Sequence, residues 1–143
     1  MKEENDLNRQ AGAADSRFLT VAPQFTVADV VTTARYYVDV LGFENRGFFG
    51  SPPVFVILSR DGVEMYFSQD PAASGRTRVR GAIAYDAYFH VTGLGALAEQ
   101  LTGRGATVIE GPVERVYGMR ELVVEDCNGL RLAFGEDPHS TSR

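Results

Sequence analysis

Two strand-like runs carry side chains able to do chemistry at alternate positions. In VEMYFSQ, Glu64, Tyr66 and Ser68 alternate with Val63, Met65 and Phe67, and in AYDAYFHV, Asp86, Tyr88 and His90 share one parity. Successive side chains of a strand point to opposite faces, so each trio lies on one face. Carboxylates beside a histidine are donors for a divalent metal such as Mn, Ni, Zn or Fe, and Glu64, Asp86 and His90 are the set that would hold it. The same carboxylates beside tyrosine rings suit another task, in which the rings stack on a planar guest and the acids pair with its positive charge. A carboxyl buried among tyrosines is also pushed toward neutrality, where Asp86 or Glu64 would act as acid or base with His90. Metal-assisted catalysis, metal-free acid–base catalysis and binding without reaction are all open on these residues.

The same period extends the candidate face. Ala22, Gln24 and Thr26 join it from the first strand, and Arg131 and Ala133 from the last. A three-residue turn sets Arg131 opposite Glu125 and Ala133 opposite Val123, which brings Glu121 to that face too. Phe48 and Phe49, from the apolar loop FFGSPPVF, and Tyr117, just before the seventh strand, complete the expected ligand-binding set. Plainer readings stand beside these. His90 suits a hydrogen-bonded surface histidine, Tyr37 simple packing, and Glu64 an ion pair with Arg131 across paired fourth and eighth strands. The loop at Phe48 suits a lid, a dimer contact or packing.

Positioning these residues takes two copies of one set of elements. LTVAPQFTV reads as a strand, Asp29 as a helix N-cap, and Val30, Ala34, Tyr37, Val38 and Leu41 as one apolar helical face ended by Gly42. FENRGFF, VFVILSR and VEMYFSQ follow as strands, the last two joined by the hairpin signal Asp61-Gly62. The second half repeats the order: strand AYDAYFHV, a helix with Leu94, Leu97, Ala98 and Leu101 on one face, then ATVIEGPV, MRELVVE and LRLAFGE. VADV matches VTGL, and RDGVEMYF matches CNGLRLAF. The expected fold is α+β, a tandem βαβββ repeat in a single domain over 18–137, with modules at about 18–70 and 82–137. Residues 1–17 and 138–143 read as flexible tails.

Composition narrows the function classes. A chain of 143 residues with 44% hydrophobic side chains is one domain with a core of its own. A net charge of −5 and no basic stripe argue against nucleic acid, and GRTRVR, Gly75 to Arg80, reads as a solvated loop. No run approaches the roughly 20 apolar residues of a membrane span, and the N-terminus lacks the apolar core of a signal peptide, so a cytoplasmic protein is expected. Cys127 is the single cysteine and reads as a surface thiol. The chain shows no phosphate-binding glycine loop, nucleophile elbow or HExxH motif.

FTVADVVTTARYYVDVLGF and YGMRELVVEDCNGLRLAFGE resemble the vicinal oxygen chelate superfamily, which includes glyoxalase I, extradiol dioxygenases and the fosfomycin- and bleomycin-resistance proteins. The resemblance covers roughly Phe18 to Asp137 and implies a cup-shaped mixed sheet. Metal-dependent members carry His, Gln or Glu at four strand positions. Carried onto this chain, those positions are Ala22, Tyr66, Asp86 and Ala133, of which only Asp86 is an ordinary metal donor. The resemblance therefore implies the metal-free, bleomycin-resistance-like group, with no cofactor. It also implies a homodimer whose clefts draw on both subunits and sequester a planar, cationic antibiotic or metabolite. The absence of tryptophan departs from a grip on a large drug. The alternatives are a metal-dependent enzyme of glyoxalase or dioxygenase type using Glu64, Asp86 and His90, and an interaction or regulatory module with a vestigial cup.

Overall fold

In the computed structural model of the chain, which describes residues 15–73 and 84–139, Pro23 decides where the first strand begins. Proline has no N–H to give to a ladder, so β1 spans only Gln24–Val27, and the Pro23 carbonyl accepts from Tyr66 N–H at 2.9 Å just before it. The strand expected from Leu19 is thereby shortened. Ala22 lies outside the sheet, and Phe18, Leu19 and Val21 are exposed.

Asp29 caps α1 (Val30–Asp39) by accepting from Val31 and Thr32 N–H at 2.9 and 3.0 Å. The buried stripe is Val30, Thr33, Ala34 and Tyr37, at the i, i+3, i+4, i+7 spacing of a helix face. Val38, expected in that stripe, is turned out to solvent, and Thr33 takes its place. Strands β2 (Glu44–Phe49), β3 (Phe55–Arg60) and β4 (Val63–Gln69) complete the first sheet in the order β1-β4-β3-β2. Asp61 and Gly62, at φ 51° and 81°, make the tight hairpin between β3 and β4. Phe48 and Phe49 end β2 and Phe55 opens β3, so the expected loop shrinks to residues 50–54.

The second module repeats the plan with β5 (Ala87–His90), α2 (Leu94–Gly103), β6 (Thr107–Glu114), β7 (Arg120–Glu125) and β8 (Arg131–Glu136), in the order β5-β8-β7-β6. In each sheet the first strand runs parallel to the last and the remaining pairs are antiparallel. The α+β fold of two tandem βαβββ modules is the one expected.

One core serves both modules. Val56, Leu58, Met65 and Phe67 of the first sheet cluster with Leu122, Val124, Leu132 and Phe134 of the second, and with Tyr37, Leu94 and Leu101 of the helices. Each fully buried side chain of this size contributes about 1.5–3 kcal/mol of transfer free energy. Val63, which shares the parity of Met65 and Phe67, sits beside the hairpin and is exposed. Because this core takes one parity of β1, β3, β4, β5, β7 and β8, the other parity of each sheet faces away from it. No helix among the described residues is long and apolar enough to cross a membrane. The GRTRVR cluster, residues 1–14 and residues 140–143 lie outside the described residues.

Candidate functional site

The outward face of the second sheet is organised around Glu121. Its side chain is 0% exposed although it lies away from the core. Tyr85 and Arg115 Nε donate to Oε1 at 3.0 and 2.9 Å, and Tyr88 and Tyr117 each donate to Oε2 at 2.7 Å. A carboxylate offers about four acceptor sites, so this one is saturated. Arg115 continues outward to a bidentate contact with Glu110, at 2.7 and 3.0 Å. The cluster thus sets two carboxylates against one guanidinium.

Backbone geometry makes the cluster fit. Glu121 stands opposite Gly135 on β8, and a Cβ at Gly135 would fall on the Tyr88 hydroxyl. Only the missing side chain lets the Tyr88 ring cross to Glu121. Gly111, at φ 100°, lies so close to the Glu121 carbonyl that a Cβ there would collide with it, which lets β6 bulge around β7.

The electrostatics follow from these contacts. Burial alone pushes the Glu121 carboxyl up, but hydrogen bonds from Tyr88, Arg115, Tyr117 and Tyr85 outweigh it and hold the group at about 2. The phenols move the other way. Burial and the bond to Glu121 push Tyr117 up to about 12, and push Tyr85 above its ordinary value and Tyr88 well above it. The bonds to Glu110 and Glu121 raise the Arg115 guanidinium further. A general acid or base works best with a pKa near the operating pH, so none of these groups exchanges a proton near neutrality.

The outward face of the first sheet carries Gln24, Thr26, Glu64, Tyr66 and Ser68. Gln24 lies beside Tyr66, and Thr26 beside Ser68, where the two hydroxyls meet at 3.2 Å. Phe49, Phe55 and Tyr66 form an edge-to-face row with centroids 5.8 and 5.7 Å apart. Tyr66 donates to Glu64 at 3.2 Å, and the Glu64 charge raises the Tyr66 phenol.

Several expected placements change. In the parallel pairs the neighbour of Tyr66 is Gln24, not Ala22, and the neighbour of Ala133 is Tyr88, not Asp86. Asp86 precedes β5, where its Oδ2 accepts from Arg131 N–H at 2.8 Å. Strands β4 and β8 belong to different sheets, so Glu64 does not face Arg131. Arg131 pairs instead with Glu125 at 3.4 Å. Phe48 stands opposite the buried Val56 and therefore points to the helix side, leaving Phe49 alone on the outward face. His90 follows Tyr88 on the outward face, with ring centroids 5.0 Å apart.

Glu64 and the Asp86–His90 pair lie on the outward faces of separate sheets. Among the described residues no three His, Cys, Asp or Glu side chains come together to hold a metal ion. The donor set within one chain does not fit such an ion.

The antiparallel register agrees with expectation. Glu125 faces Arg131, Val123 faces Ala133, and Glu121 shares their outward face. Tyr85, Glu110 and Arg115 escaped sequence reasoning. The available signal was the alternation of Glu110, Arg115 and Glu121 along one hairpin, with Tyr117 at its tip.

The Glyoxalase/Bleomycin resistance protein/Dioxygenase superfamily model matches residues 18–134. No curated protein matches the chain. Among solved structures, TioX from Micromonospora sp. ML1 superposes with a TM-score of 0.67 at 15% identity, over 82% of this chain and 98% of that one. A glyoxylase/bleomycin resistance protein/dioxygenase domain from Frankia sp. EAN1pec gives 0.68 at 19%, over 88% and 96%. A bleomycin-binding protein in complex with bleomycin gives 0.66 at 17%, over 83% and 98%. At these identities the structures share the fold, and the family match extends over most of the chain. The chain belongs to the glyoxalase, bleomycin resistance protein and dioxygenase superfamily.

Proposed function

We propose that the protein binds a planar, cationic small molecule without transforming it, on outward sheet faces that two copies bring together. The observation that carries this reading is the convergence of three tyrosine hydroxyls and Arg115 on the buried Glu121. The groups there are fixed in charge near neutral pH, which favours holding a guest over moving protons. Tyrosine rings and one more carboxylate than guanidinium favour a flat cation. The row Phe49, Phe55 and Tyr66, with Glu64 beside it, offers a matching surface on the first sheet.

Both faces turn away from the shared core, so a second copy is needed to lay the first sheet of one chain over the second sheet of another. The exposed Phe49 and Tyr117 would then be covered. A bleomycin-binding relative with this fold supports small-molecule binding as the use of such a cleft. Binding is taken to be independent of metal, in keeping with a donor set that does not assemble within the chain.

Calorimetric titration with bleomycin and with acridine orange, before and after EDTA, tests the reading, alongside sedimentation to measure the assembly. Saturable binding at one cleft per chain, unchanged by EDTA and weakened about tenfold by Tyr117→Ala, is expected, a loss of about 1.4 kcal/mol. Metal-dependent turnover, or failure of both compounds to bind a dimer, would reject it.

A further inference from the structure

The tandem plan makes two equivalent joints between the modules, and they are built differently. At the first, α1 meets the β7–β8 turn. Tyr37 is fully buried there and donates to Asp126 at 2.6 Å, while Tyr36 reaches the Glu125 carbonyl at 3.5 Å. At the second, α2 meets the β3–β4 turn. Aligning the two ten-residue helices from their first positions puts Val30 on Leu94, Ala34 on Ala98, and Tyr36 and Tyr37 on Gln100 and Leu101. Three buried positions coincide, Leu97 is only half-buried where Thr33 is fully buried, and both phenols are missing. Arg60 Nη2 donates to Gln100 at 2.9 Å where the first joint has Tyr36, and by strand register Arg60, opposite Val63, itself stands in the place of Asp126, opposite Leu130.

Beside this joint lies a groove of about 890 Å³, floored by Leu41, Phe43, Phe89, Leu97 and Phe134. At one end it continues into a smaller hollow of about 550 Å³ that shares Phe43, Arg60, Asp61 and Gln100 with it. Gly42 brings two guanidinium groups together there. A Cβ on it would lie 2.8 Å from Arg60 Nη1 and 3.4 Å from Arg104 Nη1. Arg60 is held in place by the Leu41 carbonyl at 2.7 Å. Of the carboxylates nearby, Glu44 pairs with Arg46, Asp61 pairs loosely with Arg60 Nε at 3.9 Å, and Asp137 lines the groove, while among the described residues Arg104 pairs with none of them.

We propose that this groove is a second small-molecule site, separate from the tyrosine-lined face, and that it takes an aromatic carboxylate. The ring lies against the apolar floor, beside Gln100, which stands where the equivalent joint has the Tyr36 ring. The carboxylate reaches Arg104 and Arg60, as planar guanidinium groups recognise planar acids. An uncharged aromatic gains only the floor, and an aromatic cation is repelled at the arginine end.

Calorimetric titration with 2-naphthoate and 2-naphthylmethanol tests the site, with acridine orange as the probe of the tyrosine face. The acid should bind one per chain and the alcohol about tenfold more weakly, the loss expected for a charged hydrogen bond. Arg104→Glu, on an exposed residue that the fold does not need, should weaken the acid alone. Leu97→Trp should block both compounds, and neither variant should alter acridine orange binding. Equal affinity for acid and alcohol, or naphthoate binding unaffected by Arg104→Glu, would overturn the proposal. So would a change in assembly on Leu97→Trp, because the groove would then be filled by a second copy.

Discussion

Tyr37 donates a 2.6 Å hydrogen bond to Asp126 Oδ2 and so ties the first helix to the last hairpin across 89 residues of sequence. Asp126 Oδ1 accepts from Asn128 and Leu130 N–H, so the carboxylate has three donors. Burial still pushes its carboxyl above 3.8, with the Tyr37 bond acting to lower it. Tyr37→Phe leaves a buried acceptor short of a partner and should cost about 1–3 kcal/mol in chemical denaturation. A carboxyl raised in the folded state loses stability as pH rises through its folded value. Removing the donor raises that value further, so the variant should be more destabilised at neutral than at acid pH.

Glu121 behaves in the opposite sense. Its carboxyl is lowered from 4.5 to about 2, so its contribution is present above 4.5 and is lost as pH falls through about 2. Glu121→Gln should lower stability at neutral pH by about 2 kcal/mol and remove that part of the acid dependence. Thermal melts across this range would show parallel acid limbs in the two proteins if the contribution were absent.

All six tyrosines have phenols pushed above the ordinary 10. A near-ultraviolet titration should therefore show phenolate absorbance appearing later than in free tyrosine. Glu121→Gln should shift part of the signal, from Tyr85, Tyr88 and Tyr117, back toward lower pH. A normal curve for the parent protein would contradict the hydrogen-bonded cluster.

Gly135→Ala should displace the Tyr88 ring, because the added carbon meets its hydroxyl. Overpacking of this kind costs about 1–3 kcal/mol. The clash disappears when Tyr88 is also alanine, so the double variant should be less destabilised than the sum of the single ones, which a double-mutant cycle measures.

What the sequence revealed depended on whether a turn fixed the geometry. The β7–β8 turn is short, so period two carried Glu125, Val123 and Glu121 to their partners. Strands β1 and β4 are separated by a helix and two further strands, and no tight turn sets their register. The family's metal positions therefore map by sequence onto Ala22 and Asp86, whereas the neighbours of Tyr66 and Ala133 are Gln24 and Tyr88. Hydrophobic spacing gave both helices but placed Val38 inside, since it sits at the margin of the stripe. Arg115 and Tyr85 join the cluster from outside the regular strands, and periodicity has nothing to say about such positions. The division of the outward faces between separate sheets follows from which side the common core occupies, a matter of tertiary packing.

The hydroxyl hydrogens of Tyr66, Tyr85, Tyr88 and Tyr117 all point at protein carboxylates. What remains for a visitor at these phenols is oxygen lone pairs and ring faces. These phenols accept and do not donate. A guest must bring its own N–H, O–H or positive charge, and one bearing only acceptors, such as a phosphate, finds no donor among these tyrosines.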